Sequence, residues 1–135
     1  MKATPEDHLD KARRLGNLGN RLSSRYQQNG NLQDLEAAIV HAEAAVKATP
    51  GDHPEKTGRL NNLGSMLSSR YERTGNLQDL EAAIIHAEAA VEAAPEEHPD
   101  KAIILLNYGN LLRSYSSVIE DSALSSQAVQ KSLAA

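Results

Sequence analysis

The chain has 135 residues, 40% of them hydrophobic and none of them Cys, Trp or Phe, with a formal net charge of -4. The lack of cysteine excludes disulfides and thiolate metal sites, and the mixed, slightly acidic charge gives no basic field for nucleic acid or anionic lipid. The longest apolar run, residues 102–106, is too short to span a bilayer and the N-terminus carries no apolar signal region, so the expected setting is soluble and cytoplasmic.

The chain opens with Lys2-Ala3-Thr4-Pro5, which returns as Lys47-Ala48-Thr49-Pro50 at the close of a repeat, so the start reads as a cut into a longer array. The segment from Glu6 to His8 answers Gly51-Asp52-His53 and Glu96-Glu97-His98, and a first helix is predicted from near Leu9 or Asp10, where Pro54 and Pro99 stand in the later units. Ala12, Leu15, Leu18, Gly19, Leu22 and Tyr26 then form one apolar stripe at helical spacing, repeated as Leu60, Leu63, Gly64, Leu67 and Tyr71. These helices should end at Asn29-Gly30 and Thr74-Gly75, because glycine takes the left-handed conformation that closes a helix. Asn31 and Asn76 are placed to cap second helices, with Asp34 and Asp79 three residues on in a capping-box relation. The second helices are predicted to bury Leu35, Ala38, Ile39, Ala42, Ala45 and Val46, and at the same register Leu80, Ala83, Ile84, Ala87, Ala90 and Val91.

The ten residues from Gly30 to Ile39 are identical to those from Gly75 to Ile84. The constant offset, about 45 residues, is that of a stacked array of helical units. One repeat domain over residues 1–135 follows, with units 4–48, 49–93 and 94–135. The third unit departs from the pattern. Ala102, Leu105, Tyr108, Gly109 and Leu112 match, but Glu120-Asp121 replaces Gly-Asn, and the serine-rich stretch 122–133 offers only Leu124, Ala128 and Val129 as an apolar face. It reads as a divergent capping helix or a tail. Ile103, Ile104, Leu106 and Leu111 make the preceding helix apolar nearly all round, so the terminal helix or a second chain should cover it.

His8, His53 and His98 recur once per unit in predicted loops without a second ligand at metal spacing, so turn hydrogen bonding is the expected role and no metal is assigned. His41 and His86 read as polar-face residues. Arg25 and Arg70, with Asp34 and Asp79 or Glu36 and Glu81, read as ion pairs tying the helices of each hairpin. Gly16, Gly19, Gly64 and Gly109 are read as close-contact points between helices. Carboxylates and histidines that recur at unit spacing are what architecture produces, and there is no nucleophile elbow, so the chain is expected not to be an enzyme.

These residues resemble the tetratricopeptide repeats, in a long-unit form similar to the arrays of fungal nucleotide-binding and CHAT-domain proteins. Leu60, Leu63-Gly64, Leu67, Ala83, Ala87, Ala90 and Pro95 carry the resemblance, answered in the first unit by Leu15, Leu18-Gly19, Leu22, Ala38, Ala42, Ala45 and Pro50. The unit exceeds the family's usual length of about 34 residues. The resemblance implies an all-α, right-handed α-solenoid of three helix-turn-helix units, about six helices in all. It also implies a non-catalytic scaffold without a cofactor that takes a peptide or partner helix on a concave face lined by first helices.

Carried over residue by residue, the groove candidates are Arg13, Asn17, Asn20 and Ser24, then Asn62, Ser65 and Ser69, then Asn107, Asn110 and Arg113. Asn17, Asn62 and Asn107 share a register, and a ladder of amides offers both donors and acceptors to an extended backbone; the same ladder serves equally to fix one helix against the next. A carboxylate clamp of the family's kind is not expected, because Gly16, Ile103 and Asn107 stand where its residues would be. The rival reading is self-association through Ile103, Ile104, Leu106 and Leu111 in a homodimer formed by end stacking or helix exchange. A third is a designed or recently duplicated repeat with no natural ligand.

Overall fold

The computed structural model describes the backbone of residues 5–134 and the side chains of residues 7–127, 130 and 131. The expected start of the first unit at residue 4, and the Ala128 and Val129 side chains, lie outside the described residues. The chain is all-helical there: α1 spans Pro5–Asn29, α2 Leu32–Ala48, α3 Lys56–Thr74, α4 Leu77–Ala93 and α5 Lys101–Ala134. Each helix packs on its chain neighbours, the α1 and α5 backbones each also approach α3, and among the described residues no α2 Cα lies within 8 Å of one in α4.

The turn signals act as the sequence predicts. Gly30 and Gly75 take φ 71° and 75°, and each amide donates to the carbonyl of Tyr26 or Tyr71 at 2.7 Å. A side chain there would add left-handed strain. One residue on, the Asn31 and Asn76 side chains accept from the Gln33 and Gln78 amides at 3.0 Å. The expected capping box does not form. Asp34 and Asp79 are buried and each takes a bidentate arginine from the preceding helix, Arg25 at 2.8 and 2.6 Å and Arg70 at 2.9 Å through both contacts. The Arg25 hydrogen bond, helped by Asn29, holds the Asp34 carboxyl below the ordinary carboxylate range even though burial opposes it. Donating to Asp79 likewise raises the pKa of the Arg70 guanidinium.

The core runs through both hairpins. Leu35, Ala38, Ile39 and Ala42 of α2, Leu63, Met66 and Leu67 of α3, and Leu80, Ala83 and Ala87 of α4 belong to one buried cluster. Glycine permits the close crossing in each hairpin: a Cβ on Gly19 would stand 3.1 Å from the Ala38 carbonyl, and one on Gly64 would stand 3.3 Å from that of Ala83. Gly109, at the same register in α5, has nothing within 4 Å, so the expected close contact is absent there. The reason is that α5 has no second helix behind it.

Among the described residues five helices replace the expected six. Without a glycine in the last 26 residues nothing closes a helix at Glu120-Asp121, and α5 runs unbroken for 34 residues, about 51 Å. α1 also begins earlier than predicted, at Pro5, which places His8 in a helix rather than a loop. Leu9 stands where Pro54 and Pro99 force the later units to turn, and it imposes no such break. His53 and His98 do sit in those turns, where each imidazole Nδ1 accepts from the amide two residues on at 3.0 Å.

A lysine stitches successive hairpins together. Lys56 donates to the Val46 and Thr49 carbonyls at 2.8 and 2.9 Å, and Lys101 donates to those of Val91 and Ala94 at 2.9 and 2.8 Å. An ammonium at the negative end of a helix satisfies carbonyls that lack partners within it. Across the other end, Arg73 reaches the Gly30 carbonyl at 2.8 Å. His86 is half-buried rather than fully on a polar face, and burial lowers its pKa against the opposing pull of Glu43.

Candidate functional site

The exposed faces of α1, α3 and α5 enclose three recesses. The first, about 480 Å³, is lined by Arg13, Gly16, Asn17 and Asn20 of α1 and by Gly58, Arg59 and Asn62 of α3, with His53 and Glu55 from the turn. The second, about 250 Å³, lies between Asn20, Ser23, Ser24 and Gln27 on one side and Asn62, Ser65 and Ser69 on the other. The third, about 240 Å³, runs between Asn61, Ser65, Ser68 and Glu72 of α3 and Asn107, Asn110 and Ser114 of α5. Asn20 and Asn62 belong to both of the first two, and Ser65 joins the second to the third.

All the predicted groove residues except Arg113 line these recesses. Arg113 is exposed beyond them and hydrogen-bonds the Asn110 side chain. The asparagine ladder is not a run of register partners: Asn107 donates to Asn61 at 3.3 Å, while Asn17 and Asn62 are exposed in the first recess. The Asn107 amide is therefore partly committed to architecture, and those of Asn17 and Asn62 face solvent. Ile103 and Leu106 are exposed, at 56% and 58%, but Ile104 and Leu111 are not available for self-association. Ile104 is buried with Leu60, Ala90 and Ala94, and Leu111 belongs to the main core. The chain's own α3 and α4 cover them, not its tail.

Sequence reasoning missed Arg59. Its guanidinium donates to the Thr49 hydroxyl at 2.8 Å and crosses toward α1, where a Cβ on Gly16 would meet its Nε at 3.5 Å. The Asp10–Arg13 pair at 3.1 Å brings a carboxylate to the same recess, beside that of Glu55. Its electrostatics are thus of mixed sign. Among the described residues no group of three His, Asp or Glu side chains is placed to hold a metal, and no helix is long and apolar enough to cross a membrane.

Two helices joined by a glycine-asparagine turn, with a glycine crossing and small residues at fixed register on the second helix, are the architecture of one repeat. Residues 58–100 match the tetratricopeptide repeat family model. The match supports a tetratricopeptide repeat family for α3, α4 and the turn into α5, which holds the His98 and Pro95 positions. No curated protein and no solved structure matches the chain. Tetratricopeptide repeats generally mediate protein–protein interaction and are typically scaffolds rather than enzymes. Residues 32–48 repeat the matched second helix nearly letter for letter, so the same architecture extends to the first hairpin on structural grounds.

Proposed function

We propose that the chain is a non-catalytic interaction scaffold, a short right-handed solenoid over residues 1–135 whose first helices line a concave groove for an extended peptide or a partner helix. The observation that carries this reading is the joining of three polar recesses along α1, α3 and α5 through Asn20, Asn62 and Ser65. Two features support the curvature: the backbones of the first helices come within 8 Å of one another in succession, and among the described residues those of α2 and α4 do not. The exposed amides of Asn17, Asn20 and Asn62 and the Ser65 hydroxyl, at a spacing set by the helices, suit main-chain donors and acceptors, giving affinity with little side-chain selection. The long-unit likeness to fungal CHAT-domain arrays and a cytoplasmic setting belong to the same proposal.

Peptides selected from a random library against the whole chain test it. Asn62→Ala should weaken a selected peptide about tenfold, the loss of one hydrogen bond of about 1.4 kcal/mol, with helix content unchanged. Binders indifferent to both Asn20→Ala and Asn62→Ala would contradict the groove.

A further inference from the structure

The C-terminal half of α5 stands alone. From residue 119 onward every described side chain is exposed, including Ile119 at 47% and Leu124 at 63%. A serine-rich helix of that length is marginal in water without a packing partner. The N-terminal half of α5 packs on α3 and α4 through Ile104 and Leu111, but among the described residues no second helix covers its hairpin face. Leu60, Gly64 and Leu67, which the second helix of their hairpin covers, correspond to Leu105, Gly109 and Leu112, and these leucines are 46% and 42% exposed.

One seam links the two halves. Leu105, Gly109, Leu112, Ser116, Ile119 and Ala123 follow one another at alternating spacings of four and three, the heptad period of a coiled-coil face. All of them are exposed except Gly109, which is half-exposed, and they lie roughly a quarter to a third of a turn round the helix from the Ile104 and Leu111 side that packs on the body of the protein. Large and small residues alternate strictly along this seam. In a parallel pair small would face small and large would face large. In an antiparallel pair small faces large in the central layers, Leu112 on the partner's Ala123 and Ser116 on the partner's Ile119, while farther out Gly109 meets the partner's Ser126 and Leu105 the partner's Gln130.

We propose that two copies of the chain pair through α5, antiparallel, so that the C-terminal half of each helix covers the open face of the other copy's N-terminal half. Charge selects the register. With Ser116 opposite the partner's Ile119, and Leu112 opposite the partner's Ala123, Arg113 flanks the seam beside the partner's Glu120, twice by symmetry. A shift of one heptad in either direction sets Arg113 against its own copy or Glu120 against its own copy. The chosen register also places the two-fold axis between Ser117 and Val118, the midpoint of Lys101–Ala134, so the helices overlap along their full length. A fold-back of the chain's own tail is disfavoured because the other helices end at a glycine or just before a proline, and no glycine follows Gly109 and no proline follows Pro99.

The test is solution mass by light scattering on the whole chain from micromolar to millimolar concentration. The dimer has twice the 14.6 kDa of one copy. Ala123→Glu, which sets a carboxylate in the seam, should return the mass to that of one copy, with the hairpins still folded and helix content lost only from the C-terminal half of α5. Arg113→Glu and Glu120→Arg should each weaken association by about tenfold or more through like-charge contacts, and the double exchange should restore it. Restoration is the decisive outcome, since it requires a folded protein and this register. A monomer at every concentration, a dimer indifferent to Ala123→Glu, or a double exchange no tighter than the single ones would overturn the proposal.

Discussion

Gly19, Gly64 and Gly109 occupy one register in three first helices and face three different surroundings, so a single substitution made at each reads out what lies opposite. Alanine brings the same gain of helix propensity at every site, about 1 kcal/mol. The opposing cost differs. At Gly19 the new methyl stands 3.1 Å from a backbone carbonyl, at Gly64 it stands 3.3 Å from one, and at Gly109 it enters open space. Overpacking against backbone costs about 1–3 kcal/mol because the helices must separate. Comparing sites cancels the propensity gain, so Gly109→Ala should exceed Gly19→Ala in stability by about 1–3 kcal/mol, with Gly64→Ala between them. Urea unfolding followed by helical circular dichroism, at one chain concentration, resolves this. With a slope of about 1–2 kcal/mol per molar, the midpoints of the extreme variants should differ by about 1 M. Equal midpoints would refute the claim that α2 crosses α1, and α4 crosses α3, on glycine while α5 stands without a hairpin partner.

Asp79→Ala should destabilise the chain by about 1.5–3 kcal/mol, the range for hydrogen bonds to a charged group, since Arg70 then loses both of its contacts; Arg73→Ala, on the exposed surface, should cost no more than about 1 kcal/mol by the same unfolding assay. Lys101→Met should strand the Val91 and Ala94 carbonyls and cost about 1–3 kcal/mol, with hydrogen exchange rising in residues 101–118 before it rises in α1 and α2. Acidification should destabilise in two stages. Burial keeps His86 neutral in the fold, so its contribution is complete above the unfolded value of about 6.5 and is lost as the pH falls below it. Asp34, held low by Arg25, contributes above about pH 4 and loses that contribution below it. Urea midpoints measured against pH should show the upper stage vanish in His86→Gln.

Local chemistry made most of the fold legible before any coordinates. Gly30 and Gly75 end helices because few other residues adopt their backbone, and Asn31 and Asn76 cap because their side chains reach an amide two residues away. Long-range partners were harder to read. The Asp34 carboxylate satisfies a capping pattern and an ion pair equally well in sequence, and only the nearness of Arg25 decides between them. Lys56 and Lys101 recur at unit spacing, yet a lysine's target carbonyl has no sequence signature. The third unit misled because its apolar residues fit the hairpin register at Leu105 and Leu112, whereas burial follows the face turned to α3 and α4, at Ile104 and Leu111. At the groove, residue types indicated which positions face outward. The pairing of Asn107 with Asn61 instead of Asn62 depends on how α5 settles against α3, which no periodicity records.

The interaction groove is tested most directly by mapping where a selected peptide touches the chain, through amide chemical shifts recorded during titration. The account predicts changes concentrated at Asn17, Asn20, Asn62, Ser65 and Ser69, with α2 and α4 quiet. Changes centred instead on the exposed Val40 and Ile85 of those second helices would contradict it.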